Sequence, residues 1–424
     1  MKKIFFGLLI VCFGRGIFAQ EKLTLTLEDA KKHAVTYNRE LRKAGISIDM
    51  AQAKLWETIS SGLPQVNGTV DYTNYLGFKM NFGGQSIPFN PTSTAQLSVG
   101  QLLFGGAYWV GIEMAKLSKK LSEKNVVKTE LDVKEGVAVT FNSILVAEQA
   151  KQIILKNKEN LSDIFKKTEN LANVGIIERN DVEQLSVQLL NTEAAIRTVE
   201  QQIEMAYNML RLQLGASADT EIQLIGNIES EAENMNPKLL SDEKFDPENN
   251  IDYQLLKDQE KLLERQVTMG KAGYLPTVTG FYSYTYKIKK PAFDMSPANV
   301  IGFRADIPIF SSFQKRAQIK QSKLNLRSIG IDVEQISDQL NIRARQLRYN
   351  LQNAYEQYEI QKKNVEVSRK VFESSRQKQE QGMLSALDLT VSNNNYLQAE
   401  NNLLSAVSEL LKAQVELMKL SGTL

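Results

Sequence analysis

The fold is decided by a stretch that the chain carries twice. The later copy reads Gly382-Met383-Leu384-Ser385-Ala386-Leu387-Asp388. The earlier copy reads Gly175-Ile176-Ile177-Glu178-Arg179-Asn180-Asp181. The leading glycine and the closing aspartate each recur after 207 residues. Self-similarity at a fixed offset predicts an internal duplication, with the same turn in both halves.

A heptad pattern follows each turn. Nine inward positions alternate in steps of three and four residues, and each one in the second copy lies 207 residues after its partner. This alternation is typical of a coiled-coil seam rather than of the wider apolar stripe of a globular helix. We therefore predict two coiled-coil hairpins. The inward positions are Val182, Leu185, Leu189, Thr192, Ile196, Val199, Ile203, Ala206 and Leu210 in the first copy, and Leu389, Ser392, Tyr396, Ala399, Leu403, Ala406, Leu410, Ala413 and Leu417 in the second.

The N-terminus has the features of a secretory signal peptide. Lys2 and Lys3 precede an apolar run from Ile4 to Phe13, and Ala19 supplies a small residue at the cleavage site. This arrangement predicts a signal peptide over residues 1–19 and an exported mature protein. Its removal takes away three basic residues and no acid, which changes the formal net charge from +2 to −1. A near-neutral chain gives no reason to expect nucleic acid as a partner.

The only cysteine, Cys12, lies within that apolar run, so the mature protein is predicted to lack a thiol. Acylation of Cys12 at a lipobox is the alternative, although Val11 precedes it where Gly, Ala or Ser is usual. No later stretch approaches the roughly 18 apolar residues of a membrane helix. Any membrane crossing must therefore use strands.

Both halves repeat one order of elements: helix, strand, loop, strand, long helix, turn and helix. Repeat 1 covers residues 20–215, begins its first helix after Thr26 as a cap, and has strands at about 64–78 and 94–104 and its turn at 175. An acidic, Asn-rich connector of weak periodicity covers 216–250. Repeat 2 covers 251–424, with strands at about 276–288 and 299–310 and its turn at 382. The predicted fold is mainly α with a smaller β part.

The strands alternate apolar and polar residues, which gives each of them one apolar and one polar face. Tyrosines are frequent on these strands, as in the interfacial belt of a membrane barrel. A soluble β-meander packed on the helices is the alternative, because it has the same alternation. The polar set includes Asn67, Thr69, Asp71, Thr279, Arg304 and Asp306, and the tyrosines are Tyr72, Tyr75, Tyr282, Tyr284 and Tyr286.

Four strands cannot close a barrel, and an open sheet edge in lipid leaves unpaired amides. Closure must therefore come from other copies of the chain. A dimer would give eight strands around a filled interior, whereas a trimer would give twelve around water. The polar faces favour the trimer.

The duplicated order as a whole resembles the TolC-type outer-membrane efflux family, over essentially the whole mature chain. The resemblance is carried by the two turns with their heptads and by the strand-to-helix junctions Leu103-Phe104-Gly105-Gly106 and Pro308-Ile309-Phe310-Ser311-Ser312. It implies a homotrimer with a 12-stranded β-barrel in the outer membrane and a 12-helix α-barrel across the periplasm. It also implies a periplasmic adaptor (a membrane fusion protein), an inner-membrane transporter and outer-membrane lipid as partners, in efflux or type I secretion.

The resemblance also implies two kinds of site. The family's adaptor-docking tips correspond here to Val174, Gly175, Ile176 and Ile177 and to Gly382, Met383, Leu384 and Ser385. Both glycines are also explained by the left-handed backbone that a helix end needs. The aspartates of the periplasmic entrance constriction carry over to Asp388 and Asp181. Each aspartate has a second interpretation as a helix cap, which we favour for Asp181, whereas we favour an acidic ring for Asp388. Two positions depart from the family pattern: Val391 in place of a second acid predicts a weaker selectivity gate, and Leu384 in place of a basic residue argues against the family's gating salt link.

The sequence offers little for catalysis. The single histidine, His33, is predicted to be a surface residue, and no phosphate loop or nucleophile motif is present. We predict no enzyme, no cofactor and no metal site. A non-conducting periplasmic adaptor or scaffold is the competing function, although an adaptor would carry one hairpin rather than two. The cargo, small molecule or polypeptide, stays open.

Overall fold

The computed structural model describes residues 22–233, 245–291 and 294–424. The predicted signal peptide and part of the connector lie outside these residues. The prediction of a mainly α fold in two repeats with a smaller β part is confirmed, because the helices and strands recur in one order in both halves. The elements are β1 (Lys22–Leu25), α1 (Leu27–Tyr37), α2 (Arg39–Ser60), β2 (Gln65–Thr73), β3 (Lys79–Phe82), β4 (Gln85–Pro88), β5 (Thr92–Gly105), α3 (Gly106–Asn173), α4 (Arg179–Leu214), β6 (Glu221–Leu224), α5 (Ile228–Glu233), a 3₁₀ turn (Pro247–Asn249), α6 (Ile251–Ala272), β7 (Thr277–Lys289), β8 (Asn299–Asp306), α7 (Gln314–Glu380) and α8 (Ala386–Ser421).

The first helix begins where the sequence predicts. The Thr26 hydroxyl accepts a hydrogen bond from the Asp29 amide at 3.2 Å, and the Asp29 carboxylate accepts one from the Thr26 amide at 3.3 Å. This capping box satisfies two amides that a helix start leaves unpaired, so the prediction of Thr26 as a cap is confirmed. The helical stretch up to Ser60 is interrupted at Asn38 and forms two helices, α1 and α2. Asn38 leaves helical geometry at ψ 132°, and its side-chain amide donates to the Gln213 carbonyl at 2.7 Å.

The described residues form two compact units. The first, which we call the tip unit, comprises the chain before Glu40 together with Val133–Asp242 and Arg348–Leu417. It contains both turns, α4, most of α8 and the parallel pair β1–β6. The predicted inward positions after each turn are buried or half-buried, and none is exposed. The heptad pattern therefore identified the buried face of α4 and α8.

The second unit, which we call the strand unit, comprises Glu40–Asp132, Glu243–Leu347 and Met418–Leu424. Its sheet is antiparallel throughout, in the order β2-β5-β7-β8. In the described residues, β2 and β8 are the edge strands and each pairs on one side only.

Two strands are shorter than predicted. The first ends at Thr73 rather than near 78, because Leu76 and Gly77 turn the chain at φ 49° and 77°. A small hairpin, β3–β4, then occupies part of the predicted loop, with Gly83 and Gly84 at φ 58° and 82° in its two-residue turn. The last strand ends at Asp306 rather than near 310, shortly before Pro308, which has no amide to donate to a sheet.

Candidate functional site

The two tips are built by the same backbone motif. Gly175 and Gly382 have φ values of 76° and 74°, in the left-handed region where only glycine is free of strain. At the first tip the Ile176 amide donates to the Leu171 carbonyl at 3.0 Å, and at the second the Met383 amide donates to the Lys378 carbonyl at 2.8 Å. These bonds span six residues, as in a Schellman motif, and satisfy carbonyls that the helix end leaves free.

Both tips expose apolar side chains. Val174 is 71% exposed, Ile176 is 68% exposed and Met383 is 73% exposed. Ile177 and Leu384 are half-buried, and Leu384 packs against the core beneath the tips. Each tip of the described chain therefore carries a small exposed apolar surface.

The two tips differ in how the next helix is capped. At the second tip, the Ser385 hydroxyl accepts from the Asp388 amide at 3.1 Å and donates to the Asp388 carboxylate at 2.7 Å. At the first tip the cap position belongs to Glu178, whose side chain makes no capping bond. The interpretation of Asp181 as the cap is therefore wrong, because Asp181 is the third residue of α4.

A buried core lies under the tips and ties the hairpins together. It consists of Ile164, Leu185, Val365, Phe372, Leu389, Tyr396 and Ala399. The Phe372 and Tyr396 rings stack with centroids 5.8 Å apart at 5° between planes, and the Arg369 guanidinium lies 5.9 Å from the Tyr396 centroid. Burial, followed by the hydrogen bond to Glu400, raises the pKa of the Tyr396 phenol, so this ring stays neutral and packs as a hydrophobic group.

An open groove of about 620 Å³ runs between α4 and α8. Asp181 is half-buried in it, and one amide bridge crosses it, from Gln188 Nε2 to Asn394 Oδ1 at 2.8 Å. Beside it, Asn393 is fully buried and donates to Asn157 at 2.5 Å. Our sequence reasoning missed this amide-lined groove. The available signal for it was the run Asn393-Asn394-Asn395 within a helix that otherwise follows the coiled-coil pattern.

The sheet has one polar and one apolar face. Directly paired residues of neighbouring strands point to the same face. Asn67 pairs with Ser98, which pairs with Ser283, while Thr279 pairs with Arg304. Following these pairs along the strands places the six predicted polar residues on one face. They are Asn67, Thr69, Asp71, Thr279, Arg304 and Asp306.

The opposite face of the sheet is apolar and exposed. Val70 is 76% exposed, Tyr286 is 60% exposed and Phe303 is 77% exposed. A soluble sheet would cover such a face with helices, because large contiguous apolar patches are rare on soluble monomers. Nothing in the strand unit packs on these three side chains closely enough to bury them.

Other sites are few in the described part of the chain. No group of three or more His, Cys, Asp or Glu side chains there could hold a metal ion. His33 is half-buried rather than on the surface, with its ring 4.6 Å from the Tyr37 ring, and its Nδ1 atom is buried without a hydrogen-bond partner. None of the helices in this part of the chain is both long and apolar enough to span a membrane.

Solved structures with the same fold are outer-membrane proteins. CusC, reported with transmembrane channel formation, aligns with a TM-score of 0.77 at 16% identity, over 93% of this chain and 91% of its own. The CmeC outer membrane channel of Campylobacter jejuni aligns with a TM-score of 0.77 at 16% identity, over 94% of this chain and 86% of its own. The fold is therefore that of this class of outer-membrane channel.

Sequence comparison identifies the family. The profile of the outer membrane efflux proteins matches residues 32–216 and 248–423, which is well over half of the chain. This chain belongs to that family. Among curated proteins, TolC of Salmonella enteritidis is 25% identical over 307 residues, which cover 68% of this chain. The match spans 60% of the length of that relative.

Proposed function

We propose that this protein is the outer-membrane channel-tunnel of a tripartite efflux or type I secretion system. It conducts substrate passively from a periplasmic adaptor and an inner-membrane pump. The observation that carries the proposal is the strand unit: a sheet of four strands with two open edges, one exposed apolar face and one polar face. Family membership supports the same conclusion.

The open edges argue for a homotrimer. Each unpaired amide or carbonyl of β2 and β8 would lose several kcal/mol in lipid, so both edges must pair with other copies. Three copies give a 12-stranded barrel, wide enough to hold water around Asn67, Thr69 and Arg304 on its inner face. The hairpins of three copies then supply the twelve helices of the periplasmic α-barrel.

The tips dock the adaptor in this proposal. Support comes from Val174, Ile176 and Met383, which are apolar, exposed and placed at repeat-related turns. Replacement of Ile176 and Met383 by aspartate is expected to abolish adaptor binding and adaptor-dependent efflux. Met205, which is 70% exposed on α4 but far from the turn in sequence, is the matched control. Equal loss of binding in all three variants would refute docking at the tips.

The periplasmic entrance is lined by Asp388 in this proposal. Three copies of this exposed carboxylate around one axis would attract cations and repel anions. In planar bilayers, Asp388→Ala is expected to reduce cation selectivity and Asp181→Ala to change it less, because Asp181 is half-buried in the groove. An Asp388→Ala channel with unchanged selectivity and resting conductance would refute the acidic ring.

The first test of the whole proposal is the mass of the detergent-extracted mature protein by light scattering, followed by conductance in planar bilayers. A conducting trimer is expected. A monomer in every detergent would refute closure of a barrel by several copies and would favour the alternative function of an adaptor or scaffold.

A further inference from the structure

The chain has two tryptophans, and both are exposed near the junction of the sheet with the helices. Trp109 is 64% exposed, four residues after β5 ends at Gly105. Trp56 is 59% exposed in the last two turns of α2. The Tyr108 hydroxyl donates to the Ile59 carbonyl at 2.9 Å, which joins the start of α3 to the end of α2. The two indoles therefore lie at a similar level of the strand unit.

That level is about the height of one apolar band away from Tyr286. Gly105 pairs with Thr277, the first residue of β7, and Tyr286 is nine residues farther along that strand. Nine residues at about 3.3 Å, tilted by about 40°, span about 23 Å along the barrel axis, and the apolar band of an outer-membrane barrel is about 25 Å tall. Trp109 lies about 6 Å beyond Gly105, at about 1.5 Å per helical residue. Tyr286 thus lies at one end of the band and the two tryptophans at the other.

Cations lie about two helical turns beyond Trp109 and in the first turns of α7. Lys116 is exposed seven residues after Trp109, which places both on one face of α3. Arg316 and Lys320 are exposed four residues apart on one face of the first turns of α7. No carboxylate of the described residues forms an ion pair with these three cations. Phe310 and Phe313, just before α7, are 76% and 67% exposed.

An aromatic layer with cations on its outer side matches the chemistry of a lipid headgroup region. Indole rings prefer the membrane–water interface, and each Lys or Arg near an anionic membrane surface is attracted to it. A partner protein would need complementary apolar shape at scattered positions on two helices and a loop. A lipid leaflet needs only that the aromatic rings lie at its interface and the cations on its aqueous side.

We propose that Trp56 and Trp109 lie in the headgroup region of the periplasmic leaflet, and that Lys116, Arg316 and Lys320 bind the phosphates of anionic phospholipids there. This site fixes the depth of the channel in the membrane and enriches anionic lipid around it. The inference rests on the proposed membrane channel, because it takes the strands to cross the bilayer.

The two tryptophans are also the probe. Trp56→Phe and Trp109→Phe each leave one native indole in the full chain. Both proteins are reconstituted in phosphatidylcholine vesicles that contain a minority of phosphatidylglycerol, with bromine at shallow or deep acyl positions. For both indoles, shallow bromine is expected to quench at least about twice as strongly as deep bromine, as for interfacial tryptophan.

Headgroup preference is measured by placing the bromine on only one lipid class. Brominated phosphatidylglycerol is expected to quench Trp109 about twofold more than random mixing predicts, because each nearby cation attracts anionic lipid. A variant with Lys116→Gln, Arg316→Gln and Lys320→Gln is expected to return quenching to the random-mixing value. Lys156→Gln, an exposed lysine of the tip unit, is the matched control and should change nothing.

Three results would overturn the inference. Quenching by aqueous acrylamide but not by bromine would place the indoles in water, and quenching by neither would place them against a second copy of the chain. Depth-dependent quenching with no preference for phosphatidylglycerol would remove the phosphate site. If the vesicles hold a conducting trimer in any of these cases, the proposed function stands and this inference alone fails. If the protein does not float with the vesicles, both the proposed function and this inference are refuted.

Discussion

Replacement of Gly215 by alanine tests how closely the end of α4 packs against the end of α1 at Tyr37. Gly215 ends α4 at φ 70°, and Gly422, 207 residues later, ends α8 at φ 72°. Both ends use the same six-residue hydrogen bond, from Ala216 to the Arg211 carbonyl at 2.9 Å and from Thr423 to the Met418 carbonyl at 2.9 Å. The two glycines therefore carry the same backbone requirement.

Their surroundings differ. A methyl group added at Gly215 would lie 2.2 Å from the carbonyl oxygen of Tyr37, whereas one added at Gly422 would have no atom within 4 Å. A left-handed alanine costs about 1–2 kcal/mol at either site. At Gly215 the collision adds about 1–3 kcal/mol, because the neighbour is backbone and the end of α1 must move. Gly215→Ala is thus expected to lose about 2–5 kcal/mol locally and Gly422→Ala about 1–2 kcal/mol.

Hydrogen exchange on the full chain in detergent measures this difference where it arises. In Gly215→Ala, amides at the end of α1 and the end of α4 should exchange about 30-fold faster or more, the equivalent of at least about 2 kcal/mol. In Gly422→Ala, the acceleration should be smaller and confined to the end of α8. Equal acceleration in the two variants would show that the Tyr37 contact contributes nothing and would refute the reasoning.

Two further predictions concern charge and capping. Asp258 is buried between Lys124 at 2.7 Å and Lys261 at 3.2 Å; burial works against its charge, but the lysines dominate and hold its pKa below the usual value. The ionised carboxylate therefore stabilises the fold above its unfolded-state pKa of about 3.9, and this contribution is lost as the pH falls below that value. Asp258→Asn should lower stability by about 1–3 kcal/mol at neutral pH and flatten the loss of stability in acid, as followed by thermal unfolding. Ser385→Ala should destabilise the second tip by about 0.5–2 kcal/mol, because it removes the capping hydroxyl. Glu178→Ser, at the repeat-related position, should stabilise the first tip. Hydrogen exchange of the tip amides measures both effects, and exchange rates that change in the same direction in the two variants would contradict this.

Periodic features were predictable from the sequence because they repeat a simple physical rule. Burial on one side of a coiled-coil helix forces steps of three and four, and those positions in α4 and α8 are buried or half-buried. Alternation with period two fixed the polar face of the sheet before any register was known, and the strand pairs agree with it.

Features that depend on contacts between distant segments were not predictable. The break at Asn38 requires the Gln213 carbonyl, which lies 175 residues away in sequence. The bridge from Gln188 to Asn394 joins the two repeats across a groove that neither repeat forms alone. Polar residues on a helix surface carry no periodic signal that distinguishes a solvated amide from a bridging one.

Duplication gives the two halves the same aspartate, yet the surroundings make the two carboxylates chemically different. Asp388 is exposed and its orientation is fixed by the Ser385 hydroxyl at 2.7 Å. Asp181 has glutamate at the equivalent cap position and is half-buried beside amide and apolar side chains. An acidic ring needs carboxylates held in water, and of these two aspartates only Asp388 is exposed. We therefore expect the proposed entrance selectivity to depend on the second repeat, with the first repeat contributing to the groove instead.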